Sequence, residues 1–109
     1  MSFQRFLSLV EALRQSPTYP EMDPIEERML NTMAVAWHAD TRLTVMAVMH
    51  MFPTISPSTV HRRLKSLRVK GLIELVLDLE DNRVKYVQAT GLAEDYFAML
   101  SRCMAQAQH

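Results

Sequence analysis

Residues 56–73 constrain the fold more than any other part of the chain. Ser56 can cap a helix, and Pro57 suits the first helical position, where its missing N–H has no partner to lose. Gly71 can adopt the left-handed conformation that ends a helix. Together they predict a helix over residues 57–70, after which the apolar period changes from about 3.6 residues to about 2.

The predicted helix is amphipathic and strongly basic. Its apolar stripe consists of Val60, Leu64 and Leu67. Residues 61–70 carry five Lys or Arg and no acid, whereas residues 1–60 carry four against six acids and residues 71–109 carry three against six. A helix that faces a phosphate backbone has this charge pattern. A solvated basic face on an ordinary helix is the alternative, and the helix alone does not distinguish the two.

Size and composition indicate one globular domain over residues 1–109. Hydrophobic residues make up 49% and charged residues 22%, and the net charge of zero argues against an indiscriminate binder of nucleic acid. The apolar runs are too short to cross a bilayer, so we expect no membrane association. A single cysteine, Cys103, excludes an internal disulfide framework and fits a reducing compartment. We therefore expect a cytoplasmic protein.

Apolar spacing and capping residues predict the other helices. Asp23, followed by Pro24 and Glu26, forms a capping box, and Thr44 can cap a short helix. We predict an N-terminal helix over residues 3–15, a core helix over 25–39, a helix-turn-helix over 44–70 and a C-terminal helix over 90–107. Trp37 lies on the apolar stripe of the second helix, which favours a core position over a ligand pocket.

Residues 72–89 are predicted to form a β-hairpin. The period of 2 is carried by Ile73, Leu75, Leu77 and Leu79, which alternate with Glu74, Val76, Asp78 and Glu80. Asp81 and Asn82 tolerate a positive φ and can close a tight turn. The predicted fold is therefore mainly α with a small two-stranded ribbon.

This order of elements resembles the winged helix-turn-helix of the MarR-like bacterial transcriptional regulators. The resemblance covers roughly residues 43–91 and rests on four motifs: Leu43-Thr44-Val45, Ser56-Pro57-Ser58-Thr59-Val60, Lys70-Gly71-Leu72-Ile73, and Asp81-Asn82-Arg83, which matches the family's Asp-x-Arg. It implies a homodimer built from the N- and C-terminal helices, which binds a near-palindromic operator, commonly as a repressor. The chain departs from the family in lacking a glycine in the turn at residues 52–55.

Under this hypothesis the helix from Ser58 enters the major groove of double-stranded DNA. Arg62 is the leading candidate to contact a base, because a guanidinium can pair bidentately with guanine. The other predicted contacts on the helix are hydroxyls and phosphate-binding cations, namely Ser56, Ser58, Thr59, Arg63, Lys65 and Ser66. Arg68 and Lys70 are expected at the margin of the phosphate contacts. Arg83, supported by Lys85, is expected to reach the minor groove or its phosphates from the wing. A salt bridge from Arg83 to Asp81 or Asp78 is the alternative.

Other functions have weaker signals. No nucleophile, base and orienting group occur at a telling spacing, so we expect no enzyme, cofactor or metal. Met46, Met49 and Met51 around His50 are interpreted as filler of a buried helix rather than a soft-metal site, and Cys103 as a buried residue rather than a redox sensor. A small-molecule effector is left open. A winged helix that serves as a protein-interaction or assembly module is the competing hypothesis.

Overall fold

The computed structural model describes residues 2–108, which form two compact units. One unit combines residues 2–21 with residues 91–108, and the other comprises residues 22–90. The single domain expected over residues 1–109 stays a prediction, and its first and last residues lie outside the described range.

The chain forms five helices and three short strands within the described residues. They are α1 (Phe3–Arg14), α2 (Pro24–His38), β1 (Leu43–Thr44), α3 (Val45–His50), α4 (Pro57–Val69), β2 (Ile73–Leu77), β3 (Lys85–Ala89) and α5 (Gly91–Ala107). The predicted helices agree with these bounds to within one residue at either end. The predicted fold class, mainly helical with a small wing, is confirmed. No helix of the described chain is both long and apolar enough to span a membrane.

The unit of the chain ends consists of α1 and α5, which contact each other. Tyr96 is fully buried and meets Tyr19 edge-to-face, with 5.6 Å between ring centroids. The guanidinium Nε of Arg5 donates to the carbonyl of Gln106 over 3.1 Å. Cys103 is buried, in agreement with its interpretation as a small core residue.

The core of the other unit combines α2, α4 and the sheet. Its fully buried side chains include Met29, Leu30, Met33, Val60, Leu67, Leu72 and Val87. Trp37 is half-buried, and its indole N–H donates to the carbonyl of Val87 over 3.1 Å. The contact ties Trp37 to the sheet, but Trp37 also lines a cavity with Arg42 and Tyr86, so the predicted core position holds only in part.

The sheet corrects two details of the predicted wing. It has three antiparallel strands in the order β1, β3, β2, with Val87 of β3 opposite both Leu43 and Leu75. The strand β1 was not predicted, because two residues are too few to show the alternation of apolar and polar side chains that identifies a strand. The predicted two-residue turn at Asp81 and Asn82 is wrong in length, since seven residues, 78–84, separate β2 from β3. A tight turn does begin at Asp81, whose carbonyl accepts from the Val84 N–H over 3.0 Å. The Asp78 side chain accepts backbone N–H groups there, which competes with strand pairing.

Glu26 connects the start of α2 to the end of α4. Its side chain is only 2% exposed. One carboxylate oxygen accepts from the Asp23 N–H at 3.0 Å and from Lys70 Nζ at 2.9 Å, and the other accepts from Ser66 Oγ at 2.7 Å. Burial raises the pKa of this carboxyl. Hydrogen bonds from the Asp23 N–H, Lys70 and Ser66 together lower the pKa by more than burial raises it, so the pKa lies below the ordinary 4.5.

We expect Glu26→Gln to lower the free energy of unfolding at neutral pH by about 1–3 kcal/mol, because Lys70 loses its charged partner. A carboxyl with a lowered folded-state pKa stabilises the fold fully above its unfolded pKa of 4.5 and loses this contribution as the pH falls through the folded pKa. The difference between wild type and variant, measured by denaturant unfolding, should therefore shrink well below pH 4.5. Glu74→Gln, at an exposed position of β2, is the control and should change little. If Glu26→Gln lowers the free energy of unfolding equally at neutral pH and well below pH 4.5, the buried ion pair is contradicted.

Candidate nucleic-acid interface

The N-terminus of α4 is held by hydroxyl groups. Ser56 is its N-cap, with an extended backbone, and its Oγ accepts from the Thr59 N–H at 3.3 Å and donates to Thr59 Oγ1 at 2.8 Å. Arg62 in turn donates to Thr59 Oγ1 over 3.3 Å. Ser58 is exposed beside them. Four of the predicted site residues therefore lie together at one end of the helix.

A second face of α4 is directed at α2. There Arg63 forms an ion pair with Asp23, 2.9 Å from nitrogen to oxygen, and Ser66 and Lys70 bind Glu26. Arg63 and Ser66, which were expected to contact DNA, thus have intramolecular partners in this structure. Sequence spacing could not show this, because the acids that bind them are about 40 residues away in the chain.

The outward face of α4 carries two further positive charges along the middle of the helix. Arg62 and Lys65 are exposed there, together with Ser58 and Val69. Within residues 2–108, the carboxylates that form salt bridges with α4 and its C-cap belong to Asp23 and Glu26, and they bind Arg63 and Lys70. Arg62 and Lys65 therefore present their charge to solvent.

The third polar face of α4 borders a groove, which we call the wing groove. It has a volume of about 560 Å³ between α3, α4 and the wing. It is lined by Thr44, Val45, Met46, Met49, His61, Arg68, Leu75, Arg83, Val84 and Lys85. This lining contains three Lys or Arg side chains and no acid, so the groove is electropositive.

His61 was not predicted as a site residue and Arg68 was expected only at the margin, yet both line the wing groove. They are seven residues apart, with Lys65 between them, so all three lie on one side of a helix. This spacing was the feature of the sequence that could have predicted them as neighbours. Met46 also lines the groove and is 67% exposed. Its interpretation as filler of a buried helix is therefore wrong, whereas Val48 of the same helix is fully buried.

The wing tip carries Arg83 in a bidentate pair with Asp81. Arg83 Nε lies 3.0 Å from Asp81 Oδ1, and a terminal nitrogen lies 3.2 Å from Oδ2. Hydrogen bonds from the Arg83 side chain, and from the Arg83 backbone N–H, hold the pKa of Asp81 below its ordinary value. Lys85 is exposed on β3. The alternative of a salt bridge between Arg83 and Asp81 is thus present in the protein without DNA.

Known structures share this fold. A MarR-like transcriptional regulator from Thermotoga maritima is 18% identical, with a TM-score of 0.64, and the match covers 99% of this chain and 79% of that one. The heme sensor protein PefR of Streptococcus agalactiae is 20% identical, with a TM-score of 0.63 and coverages of 94% and 73%. MepR of S. aureus in complex with DNA is 19% identical, with a TM-score of 0.57 and coverages of 96% and 73%. No protein-family model and no curated protein sequence matches the chain.

The structure predicts different roles for two adjacent arginines. Arg63→Ala should lower the free energy of unfolding by about 1 kcal/mol, since it breaks the ion pair with Asp23. Arg62→Ala removes the same side chain one position away, but from the exposed face, and should change stability by less than about 0.5 kcal/mol. Denaturant unfolding of both variants checks this difference. Equal losses would contradict the assignment of faces on α4.

Proposed function

We propose that this protein is a sequence-specific, double-stranded DNA-binding transcriptional regulator that acts in the cytoplasm as a dimeric repressor. One observation carries the proposal: α4 directs Arg62 and Lys65 outward, while its other charges near α2 are neutralised by Asp23 and Glu26. The apolar face of α4 is buried and its charges near α2 are neutralised, so Arg62 and Lys65 form an exposed cationic surface suited to a major groove, and Arg68 lines the adjoining wing groove.

The proposed contacts follow from position along α4. Arg62 pairs with a guanine edge, and its hydrogen bond to Thr59 directs it toward the N-terminal half of the helix. Ser56, Ser58 and Thr59 place hydroxyls and helix N–H groups near a phosphate or base edge. Lys65 neutralises a phosphate.

The wing groove is proposed to flank one DNA strand. Arg68 and Lys85 line it and can bind phosphate oxygens, and His61 lines it as well. Arg83 is proposed to approach the minor groove from the wing tip. Its pair with Asp81 orients the guanidinium and must be exchanged or shared when the arginine binds DNA.

Arg63 and Ser66 have a subordinate place in the proposal. Either side chain would have to give up its contact with Asp23 or Glu26 before it could bind a phosphate. A contact that costs an existing ion pair or hydrogen bond adds little net affinity.

The structural neighbours support binding of DNA by this fold. MepR is described in complex with DNA, and a variant of it, 18% identical to this chain with a TM-score of 0.64, is described bound to an oligodeoxyribonucleotide. PefR is described as a heme sensor. For this chain we propose double-stranded DNA as the partner.

A dimer is proposed to form through the unit of α1 and α5. Four large apolar side chains of these helices are exposed, namely Phe3, Leu7, Leu92 and Met104. An apolar surface of this kind on a small protein commonly marks an interface. A two-fold dimer would place two copies of α4 about 34 Å apart, one turn of DNA, and would bind inverted half-sites.

A protein-interaction module is the second candidate, and the wing tip favours it. Leu77 and Leu79 are exposed there next to Glu80, and exposed leucines beside an acid suit a protein partner better than a phosphate backbone. The following DNA-binding measurement separates the two candidates.

We expect Arg62→Ala to weaken binding to a selected duplex by about 5- to 150-fold, which corresponds to the loss of one bidentate base contact. Lys65→Ala should weaken binding to selected and random duplexes alike and reduce the salt slope by about one. Arg63→Ala is the matched control and should leave the salt slope nearly unchanged. Fluorescence anisotropy over a salt series measures all three. Unchanged affinity for Arg62→Ala and Lys65→Ala would favour the interaction module.

We expect the paired substitutions Phe3→Glu and Leu7→Glu to convert the dimer to a monomer, because they place two charges in the proposed interface. Val35→Glu, at a comparably exposed apolar position of α2, is the control and should leave the dimer intact. Size-exclusion chromatography with light scattering gives the mass. A wild-type monomer at high concentration would refute the dimer and its inverted half-sites.

A further inference from the structure

Three side chains below the wing tip form one connected group, which we call the wing support: Arg42, Tyr86 and Asp78. The guanidinium carbon of Arg42 lies 3.9 Å from the centroid of the Tyr86 ring. This is a close cation–π contact. The Tyr86 hydroxyl donates to Asp78 Oδ2 over 2.9 Å. The wing support therefore joins the residue before β1 to β3 and to the end of β2.

Asp78 shapes the loop between the strands. Its other carboxylate oxygen accepts from the N–H of Glu80 at 2.9 Å and of Asp81 at 3.1 Å. Its own N–H donates to the carbonyl of Val84 over 3.0 Å, which closes the loop at its base. One side chain thus satisfies two backbone donors at the wing tip, an arrangement that fixes a turn.

The contacts of Asp78 extend to Arg83 through Asp81. Asp78 holds the Asp81 N–H, and the Asp81 carboxylate accepts from both the backbone N–H and the guanidinium of Arg83. The direction of the Arg83 guanidinium therefore depends on the loop conformation, and the loop conformation depends on Asp78 and Tyr86.

The wing tip carries a negative charge that needs a structural reason. Asp78 is an acid on a surface proposed to meet DNA, where an acid by itself weakens binding. Hydrogen bonds from the Glu80 N–H, Tyr86 and the Asp81 N–H lower the pKa of Asp78, and the bond to Asp78 raises the pKa of Tyr86 above its ordinary 10.0. Asp78 thus remains charged and Tyr86 remains a donor at neutral pH.

We propose that Arg42, Tyr86 and Asp78 are positioning residues for DNA binding, which hold loop 78–84 in the conformation that presents Arg83 to the duplex. This inference rests on the proposed function of the chain. It assigns to the wing support no contact with DNA, only the placement of a residue that makes one.

The sign of a charge substitution tests the proposal. Asp78→Ala removes a negative charge, so electrostatics alone predicts tighter DNA binding, whereas loss of loop order predicts weaker binding. We expect binding weaker by about 3- to 10-fold, the effect of losing one ordinary hydrogen bond. Glu80→Ala is the matched control in the same loop, and binding should be unchanged or tighter. Tighter binding for Asp78→Ala would overturn the proposal.

Two further variants separate positioning from general stability. Asp78→Asn retains an acceptor for the Glu80 and Asp81 N–H groups and should recover most of the affinity lost in Asp78→Ala. Tyr86→Phe keeps the stacking on Arg42 but loses the hydrogen bond, and it should weaken binding in the wild-type background. It should have no additional effect in Arg83→Ala, because the side chain that it positions is then absent. Equal effects in both backgrounds would refute action through Arg83.

Measurements without DNA make failure of this inference distinguishable from failure of the proposed function. Hydrogen exchange of the Glu80 and Asp81 amides should accelerate in Asp78→Ala and Tyr86→Phe but not in Glu80→Ala. If exchange accelerates in these two variants but the wild type does not bind DNA, the proposed function is refuted, and with it the role of the wing support in presenting Arg83 to DNA. Unchanged exchange would refute the wing support itself.

Discussion

The arrangement of the α4 surface depends on the buried carboxylate of Glu26. A charge that is nearly removed from water is tolerated only when its oxygens are fully hydrogen-bonded, and two of its three partners are Ser66 and Lys70 at the end of α4. These partners must face α2, which fixes the rotation of α4 about its own axis. Once that rotation is fixed, the exposed positions of Arg62 and Lys65 around the helix follow from it.

A purely apolar contact would not specify this rotation as strictly. Val60, Leu64 and Leu67 form a stripe that can pack on a core over a range of rotations, because dispersion and burial are not directional. Hydrogen bonds of 2.7 and 2.9 Å to Glu26 allow a much narrower range. The capping box at Asp23 adds to this constraint, since the same carboxylate that caps α2 also binds Arg63. The start of α2 is therefore part of the framework of the candidate interface.

Local signals predicted the helices well, and long-range partners limited the prediction of the site. Ser56, Asp23 and Thr44 act within three residues of themselves, so their caps were visible in the sequence. The partners of Arg63 and Lys70 lie in a distant helix, and a basic run cannot show which of its charges are neutralised. The two-residue strand β1 has too few residues for a period. The loop at residues 78–84 depends on Asp78 as an acceptor of backbone N–H groups, which competes with the strand alternation that the sequence displays.

The positive charges on the outward face of α4 and at the wing tip are held in opposite ways. On α4, Asp23 and Glu26 neutralise the cations that face α2. Arg62 and Lys65 remain exposed on a rigid helix. On the wing, Asp81 binds the very cation that is proposed to meet DNA, and an irregular loop carries it. A helix can present a side chain without further support, whereas a loop loses conformational entropy when it is ordered by its ligand. An acid that orders the loop in advance lowers that entropic cost on binding, at the expense of some repulsion from phosphate. The aspartates of the wing are therefore compatible with a DNA-binding surface, because their backbone and arginine contacts fix the loop on which it depends.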